Sequence, residues 1–272
     1  AGLAIGGAST IGIAENAFTV GLSAGWYDTA WAIGAVVSSM MAVRYLRRSQ
    51  YTTISGLVRD LYGTKTSFIM VIAMCIIQSG IIALQYKAGG SILASLLPDA
   101  EASVALPMIL MSIPPVLGGI TLSGLWAADM GTDCSMIIGL ATTVSTDIIG
   151  KIPGVSLNDR QKHILNKVIV VLSSLVTYLI ATQMGAILSA MQKALSLAIG
   201  TSFIVIGGLL CPKFSSRKAG FWTIMASIVS IVAWNMVPAL VPVFKNVGFF
   251  MLAVCGAVFI LISLVDPEKV KQ

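Results

Sequence analysis

Three carboxylates lie inside strongly apolar stretches of this 272-residue chain, where they have the clearest capacity for chemistry. They are Glu15, Asp129 and Asp133. Placing a carboxylate at the centre of a bilayer costs roughly 2.5–3.5 kcal/mol on insertion scales, so such a group normally faces a cavity or an ion pathway. Asp129 and Asp133 are four residues apart and would share one face of a helix. The alternative is that one or both are protonated, or lie near a helix end and reach water.

Two segments beside these carboxylates are poor helix formers. Residues 6–12 read Gly-Gly-Ala-Ser-Thr-Ile-Gly, and residues 127–133 read Ala-Ala-Asp-Met-Gly-Thr-Asp. Glycine is costly inside a helix, and a broken helix exposes carbonyl oxygens that can bind sodium. Non-helical backbone is tolerated at membrane depth where it lines such a cavity. We therefore predict a helix break in both segments, with close packing of small residues as the equally weighted alternative.

The composition places these segments in a membrane protein. Hydrophobic residues make up 57% of the chain, charged residues only 10%, and the mean hydropathy is +0.93. So small a share of charged residues cannot form a surface that faces water, so a soluble enzyme is excluded. The apolar runs are continuous and approach the roughly 20 residues that cross a bilayer, which favours helices over a transmembrane barrel. The four cysteines and the single histidine show no spacing typical of a metal site.

The positions of helix-breaking residues and of charged residues together predict an all-α, polytopic protein with about eight transmembrane helices in one domain, residues 1–272. Residues 99–117 are predicted to form an external re-entrant or interfacial segment. The chain opens inside an apolar run without a start Met, which suggests a fragment or a processed chain. The predicted spans are about residues 1–21, 28–46, 67–88, 118–142, 164–184, 188–211, 219–240 and 246–265.

Basic residues set the predicted orientation. If the loop at 44–65 is cytoplasmic, alternation leaves only Lys87, Lys193 and Lys245 of the 17 basic residues elsewhere, as the positive-inside rule requires. The excess of basic residues therefore reflects topology, and nucleic-acid binding is not expected. We predict a multi-pass protein of the plasma (inner) membrane with a cytoplasmic C-terminus. The basic residues assigned to the inside are Arg44, Arg47, Arg48, Arg59, Lys65, Lys151, Arg160, Lys162, Lys167, Lys213, Arg217, Lys218, Lys269 and Lys271.

Several stretches resemble the sodium:solute symporter family, a branch of the LeuT-like inverted-repeat transporters. Residues 6–37 are similar to the first two core helices of that family, and residues 44–63 to its basic loop and YT motif. Residues 114–151 are similar to the eighth core helix, with its A-A-x-M-S-T core, and residues 195–234 to the tenth and eleventh. This resemblance covers most of the chain and implies a partial LeuT-like fold with a broken first helix.

The resemblance also implies a sodium site and a solute cavity. Sodium as the coupling ion would bind the carbonyls of Ala8, Ile11 and Ala128 and two hydroxyl positions, which are Gly131 and Thr132 here. Thr132 fits, whereas Gly131 has no side-chain oxygen, so Asp129 or Asp133 would replace it, or a proton would be the coupling ion. The predicted solute-binding residues are Ser9, Thr10, Gly12, Glu15 and Asp28.

The same resemblance indicates missing helices. Residues 1–97 resemble core helices one to three, residues 98–117 form the external segment, and residues 118–272 resemble core helices eight to twelve. The fourth to seventh helices have no counterpart, unless residues 67–97 correspond to the seventh helix rather than the third. Either a second chain supplies the missing helices, or the transporter is truncated.

The predicted function is secondary active transport: symport of sodium and a small solute across a lipid bilayer by alternating access. The alternatives are a membrane module that senses a solute without net transport, and a non-functional transporter remnant. An enzyme is not expected, because the sequence contains no nucleophile–base pair, metal cluster or nucleotide-binding loop.

Overall fold

The computed structural model describes residues 6–49, 53–96, 112–152, 158–185, 187–238, 240–266, 268 and 270. These residues are almost entirely helical, which confirms the all-α prediction for this part of the chain. Short 3-10 turns cover Gly21–Gly25 and Ile149–Lys151, and a π-helical turn covers Thr143–Ile148. The α-helices are α1 (Gly7–Val20), α2 (Trp26–Ser49), α3 (Ile54–Tyr62), α4 (Thr64–Leu96), α5 (Pro115–Thr142), α6 (Asp159–Thr182), α7 (Ile187–Ser196), α8 (Ala198–Leu210), α9 (Arg217–Met236), α10 (Leu240–Phe244) and α11 (Val247–Val265).

Five stretches of the described helices are long and apolar enough to cross a membrane. They correspond to the predicted third, fifth, sixth, seventh and eighth spans. The other three predicted spans fall on α1, α2 and α5, which are helical but are not among the five. The predicted external segment lies mostly in residues 97–111, outside the described residues. The five stretches are Thr64–Ala94, Asp159–Thr182, Ser189–Leu210, Arg217–Met236 and Val247–Val265.

Both predicted helix breaks are wrong within the described residues. Helix α1 is continuous from Gly7 to Val20, so residues 7–12 of the predicted break are helical. Gly6 precedes the helix and is extended with φ of −104°. Helix α5 runs through 127–133 without interruption, and regular α-helix ends only at Thr142. Each interior glycine costs up to about 1 kcal/mol relative to alanine, a penalty that burial and close packing can offset.

The chain groups into two compact units. One contains Ala1–Val36, Gln78–Ala141 and Lys167–Met191, and we call it the carboxylate unit because Asp129 and Asp133 belong to it. The other contains Val37–Ile77, Thr142–Asn166 and Gln192–Gln272, and we call it the C-terminal unit. Helix α4 contributes its first half to the C-terminal unit and its second half to the carboxylate unit.

Tyr62 lies at the centre of the C-terminal unit. Its hydroxyl donates a hydrogen bond to the carbonyl of Ile204 in α8 at 2.8 Å, and burial raises its pKa to about 12. The ring occupies space left by two glycines, because a Cβ at Gly208 or Gly220 would overlap it. The core around it consists of Val58, Met70, Ala73, Ile204, Ala219, Ile224, Phe259 and Val270.

The segment after α11 pairs with the start of α9. The Arg217 amide donates to the Glu268 carbonyl at 3.1 Å, and the Val270 amide donates to the Ser215 carbonyl at 2.9 Å. Asp266 accepts a hydrogen bond from the ammonium of Lys218 at 3.1 Å. Burial alone would raise the pKa of Asp266, but hydrogen bonds from Lys218 and Ser216 hold it below its usual value.

We expect Asp266→Asn to weaken the acid sensitivity of the fold. Because the folded-state pKa is below the unfolded value of about 3.9, ionised Asp266 stabilises the folded state at neutral pH. That contribution is lost as the pH falls through the folded-state pKa. Melting temperatures measured in detergent from about pH 6 downward should therefore fall less steeply in the variant. Asp159→Asn is the control, because this carboxylate is fully exposed and its ion pair with Lys162 spans 3.8 Å, so the substitution should change the slope less than Asp266→Asn does. Identical profiles for wild type and Asp266→Asn would refute the assignment.

Candidate functional site: a buried carboxylate at the start of α1

The first turn of α1 is held by its own hydroxyl groups. The Ser9 hydroxyl accepts a hydrogen bond from the Gly6 amide at 3.2 Å and donates to the Gly6 carbonyl at 2.9 Å. The Thr10 hydroxyl donates to the same carbonyl at 3.1 Å. The two hydroxyls predicted to bind solute therefore fix the end of the helix, with Ser9 buried and Thr10 half-buried.

Gln85 of α4 caps the same turn from a neighbouring helix. Its Oε1 accepts a hydrogen bond from the amide of Ala8 at 2.8 Å, and its side chain is 2% exposed. The first amides of a helix have no partner within the helix, so this contact satisfies a buried donor. Gln85 is not among the residues predicted from the sequence. A glutamine inside the apolar run 67–88 is the signal that could have identified it.

Asp129 of α5 lies between two glycines. It is 5% exposed. A Cβ added at Gly7 would lie 2.5 Å from its Oδ1, and a Cβ added at Gly89 of α4 would lie 2.8 Å from its Oδ2. Only glycine at these two positions leaves room for the carboxylate, which therefore contacts the start of α1 on one side and α4 on the other.

The Asp129 oxygen that faces α1 could accept a further contact. Oδ1 of Asp129 is buried and has no hydrogen-bond partner among the described residues. The positive end of the α1 dipole stabilises a negative charge at this position. The Lys87 ammonium, on the same α4 helix, donates to the carbonyl of Met184 at the end of α6. The result is a buried acidic group that a small cation or a proton would neutralise.

Thr132 lies on the same face of α5, one turn after Asp129. Its hydroxyl donates to the Ala128 carbonyl at 3.2 Å, and a Cβ at Gly6 would lie 2.8 Å from its Oγ1. Gly131 is exposed, and a Cβ added there would meet nothing within 4 Å. The structure thus brings Thr132 to the start of α1 and leaves Gly131 on the outside of the helix.

The remaining predicted ligands are distributed along α1 and α2. Ala8, Ile11 and Gly12 are buried, but the carbonyls of Ala8 and Ile11 lie within a regular helix, where they accept hydrogen bonds from backbone amides one turn later. Glu15 is half-buried, two turns after Ala8. Asp28 is exposed in the first turn of α2, whereas Asp129 and Thr132 are buried.

A polar seam extends from Asp129 between α4 and α5. Oδ1 of Asp133 and Oε1 of Gln78 are both buried without a hydrogen-bond partner in the described chain. A Cβ at Gly139 would lie 3.3 Å from Nε2 of Gln78. Positions 89 and 78 of α4 thus face positions 129 and 139 of α5, so the two helices run antiparallel.

Oxygen atoms are the ligands that hard cations prefer, and this seam supplies carboxylate, hydroxyl and carbonyl oxygens. The described residues contain no cluster of three or more His, Cys, Asp or Glu side chains that could hold a metal ion. Oxygen donors of these types suit a hard cation better than a soft transition metal.

Comparisons with protein-family models, with curated proteins and with solved structures find no match to this chain. The physical chemistry of the site is therefore the basis for assigning its function.

Proposed function

We propose that this chain is a secondary active transporter, or part of one, that couples the movement of a monovalent cation to that of a small solute. The single observation that carries the proposal is the carboxylate of Asp129, buried between Gly7 and Gly89 with one oxygen lacking a hydrogen-bond partner. A charge at such a position is expensive in a membrane, so it usually marks an ion or substrate pathway.

Sodium is the coupling ion that we propose, with a proton as the alternative. The predicted ligand set of Ala8, Ile11, Ala128, Gly131 and Thr132 needs two broken helices, whereas α1 and α5 are continuous. We therefore assign the main contacts to the Asp129 carboxylate and the Thr132 hydroxyl. Carbonyls at the start of α1 would complete the shell if that turn opened.

The proposal extends to the architecture of the chain and to the membrane in which it lies. We propose a partial LeuT-like arrangement of about eight spans in the plasma (inner) membrane, with a cytoplasmic C-terminus. Helix α6 exposes a long apolar surface that includes Val171, Leu175 and Leu179. That surface suits contact with lipid or with helices supplied by a second chain, and alternating access would expose the carboxylate to each side in turn.

The test is thermal unfolding of the purified chain in detergent, with sodium, lithium or potassium chloride at matched ionic strength and pH. A ligand that binds only the folded state stabilises it by RT ln(1 + [L]/Kd), which is about 1.4 kcal/mol at ten times Kd. We expect a rise in melting temperature specific to sodium. Thr132→Ala and Asp129→Asn should both abolish it.

Thr121→Ala is the matched control for Thr132→Ala. Thr121 lies on the same helix, is exposed, and donates to the carbonyl of Leu117 four residues earlier in the same way. It should keep the full sodium response. Stability that follows pH and ignores sodium would point to a proton as the coupling ion, while a folded chain that responds to neither would refute the proposal.

A further inference from the structure

A cavity of about 420 Å³ lies between α4 and α5, within the carboxylate unit. Apolar side chains form most of its wall, and Ser123 and the indole of Trp126 are the polar or polarisable groups. This volume is within the range typical of small-molecule sites, which are largely apolar with a few polar groups that fix the ligand. The lining residues are Ile92, Leu93, Gly119, Leu122, Ser123 and Trp126.

Trp126 connects this cavity to the buried carboxylate. Gly89 lies beside both groups, because a Cβ added there would be 2.8 Å from Oδ2 of Asp129 and 3.2 Å from Cζ3 of Trp126. Trp126 and Asp129, on adjacent turns of α5, therefore both pack against Gly89 of α4. Oδ2 faces this side, whereas Oδ1 faces the start of α1.

We propose that this cavity binds the transported solute and that the solute is a small organic cation, an ammonium attached to an apolar body. The inference rests on the proposed transport function and names its substrate class. The apolar body would occupy the cavity between α4 and α5, and the ammonium would contact the indole of Trp126 on the side that is nearest to Oδ2 of Asp129. Aromatic rings and carboxylates together are the groups that attract such cations most strongly.

Charge complementarity selects this class over other small solutes. Asp129 and Asp133 both lie on the face of α5 that meets α4, so an anionic solute would be repelled. The ammonium of Lys87 already contacts the Met184 carbonyl. A neutral polar solute such as a sugar would find few hydrogen-bonding groups in the wall, because the Ser123 hydroxyl already donates to the carbonyl of Gly119 at 2.8 Å.

The test compares 2-phenylethylamine with 2-phenylethanol, which has the same ring and linker without the charge. Melting temperatures of the detergent-solubilised chain are measured against each compound at neutral pH and constant sodium chloride. We expect the amine to raise the melting temperature in a saturable way and the alcohol to have no such effect. Equal effects of the two compounds would overturn the inference, because they would reflect apolar partitioning alone.

Two variants locate the site. Ser123→Phe fills the cavity from its exposed rim without touching Asp129, so it should weaken amine binding at least about tenfold, equivalent to about 1.4 kcal/mol, and keep the sodium response. Asp129→Asn removes the charge and should abolish the amine response. Asp159→Asn, at a fully exposed carboxylate on α6, should change neither. An amine response that survives both Ser123→Phe and Asp129→Asn would overturn the assignment.

The two proposals fail in different ways. If sodium stabilises the chain and the amine does not, the solute assignment is wrong and cation coupling stands. If the amine stabilises the chain through Ser123 and Asp129 while no alkali cation or pH change has an effect, the cavity assignment stands and cation coupling is wrong.

Discussion

Gly7→Ala is expected to destabilise the folded chain by about 1–3 kcal/mol, the usual cost of overpacking a well-packed site. The new methyl group would lie 2.5 Å from Oδ1 of Asp129 and 2.7 Å from both its Cβ and its Cγ. The Cβ of Asp129 is fixed to the α5 backbone, so rotation of the side chain cannot relieve the overlap. Helix α1 or α5 must shift instead.

The same substitution should become harmless once the carboxylate and its Cβ are both removed. In an Asp129→Gly background neither group is present, so the methyl group fills lost volume, and alanine is favoured over glycine inside a helix by up to about 1 kcal/mol. Melting temperatures or denaturant unfolding of the wild type, both single variants and the double variant give the coupling energy directly. Gly131→Ala on α5 is the control and should be neutral or stabilising, because an added Cβ meets nothing within 4 Å. Additive effects of Gly7→Ala and Asp129→Gly would mean that Asp129 does not contact the start of α1.

The general class of the fold was predictable because it depends on composition and on the length of apolar runs. A run such as 246–265 contains no charged residue, so it predicts a spanning helix, and α11 occupies Val247–Val265. Glycines at both ends of the segment Gly21–Gly25 likewise favour a turn, and the structure has a 3-10 turn there. Local sequence suffices where each residue favours the same structure.

The predicted helix breaks are wrong, and the equally weighted alternative, close packing of small residues, describes Gly7. Glycines at 7, 12 and 131 weaken a helix in isolation, but two of the three serve close packing or face open surroundings in the folded chain. Gly7 packs against Asp129, and Gly131 lies on the exposed face of α5. The energy recovered through tertiary contacts can exceed the penalty per glycine, and a single sequence does not reveal those contacts.

The site was predictable in part. Asp129 and Asp133 were predicted because a charge in an apolar run is costly, and that reasoning does not require knowledge of the fold. Thr132 was implied only by the family resemblance. Gln85, Gly89 and Trp126 were missed because their roles depend on which face of α4 meets α5. A lone glutamine, glycine or tryptophan in a span carries little signal until that pairing is known.

Gln85→Met is expected to destabilise the chain by about 1–3 kcal/mol, even though methionine has nearly the same size and shape. The loss leaves the buried amide of Ala8 without the acceptor that now lies 2.8 Å away. The first turn of α1 should fray as a result. Hydrogen exchange of the amides of residues 7–10 should then accelerate more than exchange in the remainder of α1.

The same helix provides the control for this substitution. Gln78 lies two turns before Gln85 on α4, and its Oε1 is buried without a hydrogen-bond partner among the described residues. Gln78→Met should therefore be neutral or stabilising, because it removes a polar atom whose burial is not compensated. The two substitutions are chemically identical, so the difference between them isolates the contact with Ala8. Equal losses of stability would mean that Gln85 does not cap α1, and the start of α1 would then lack the anchor that holds it beside Asp129.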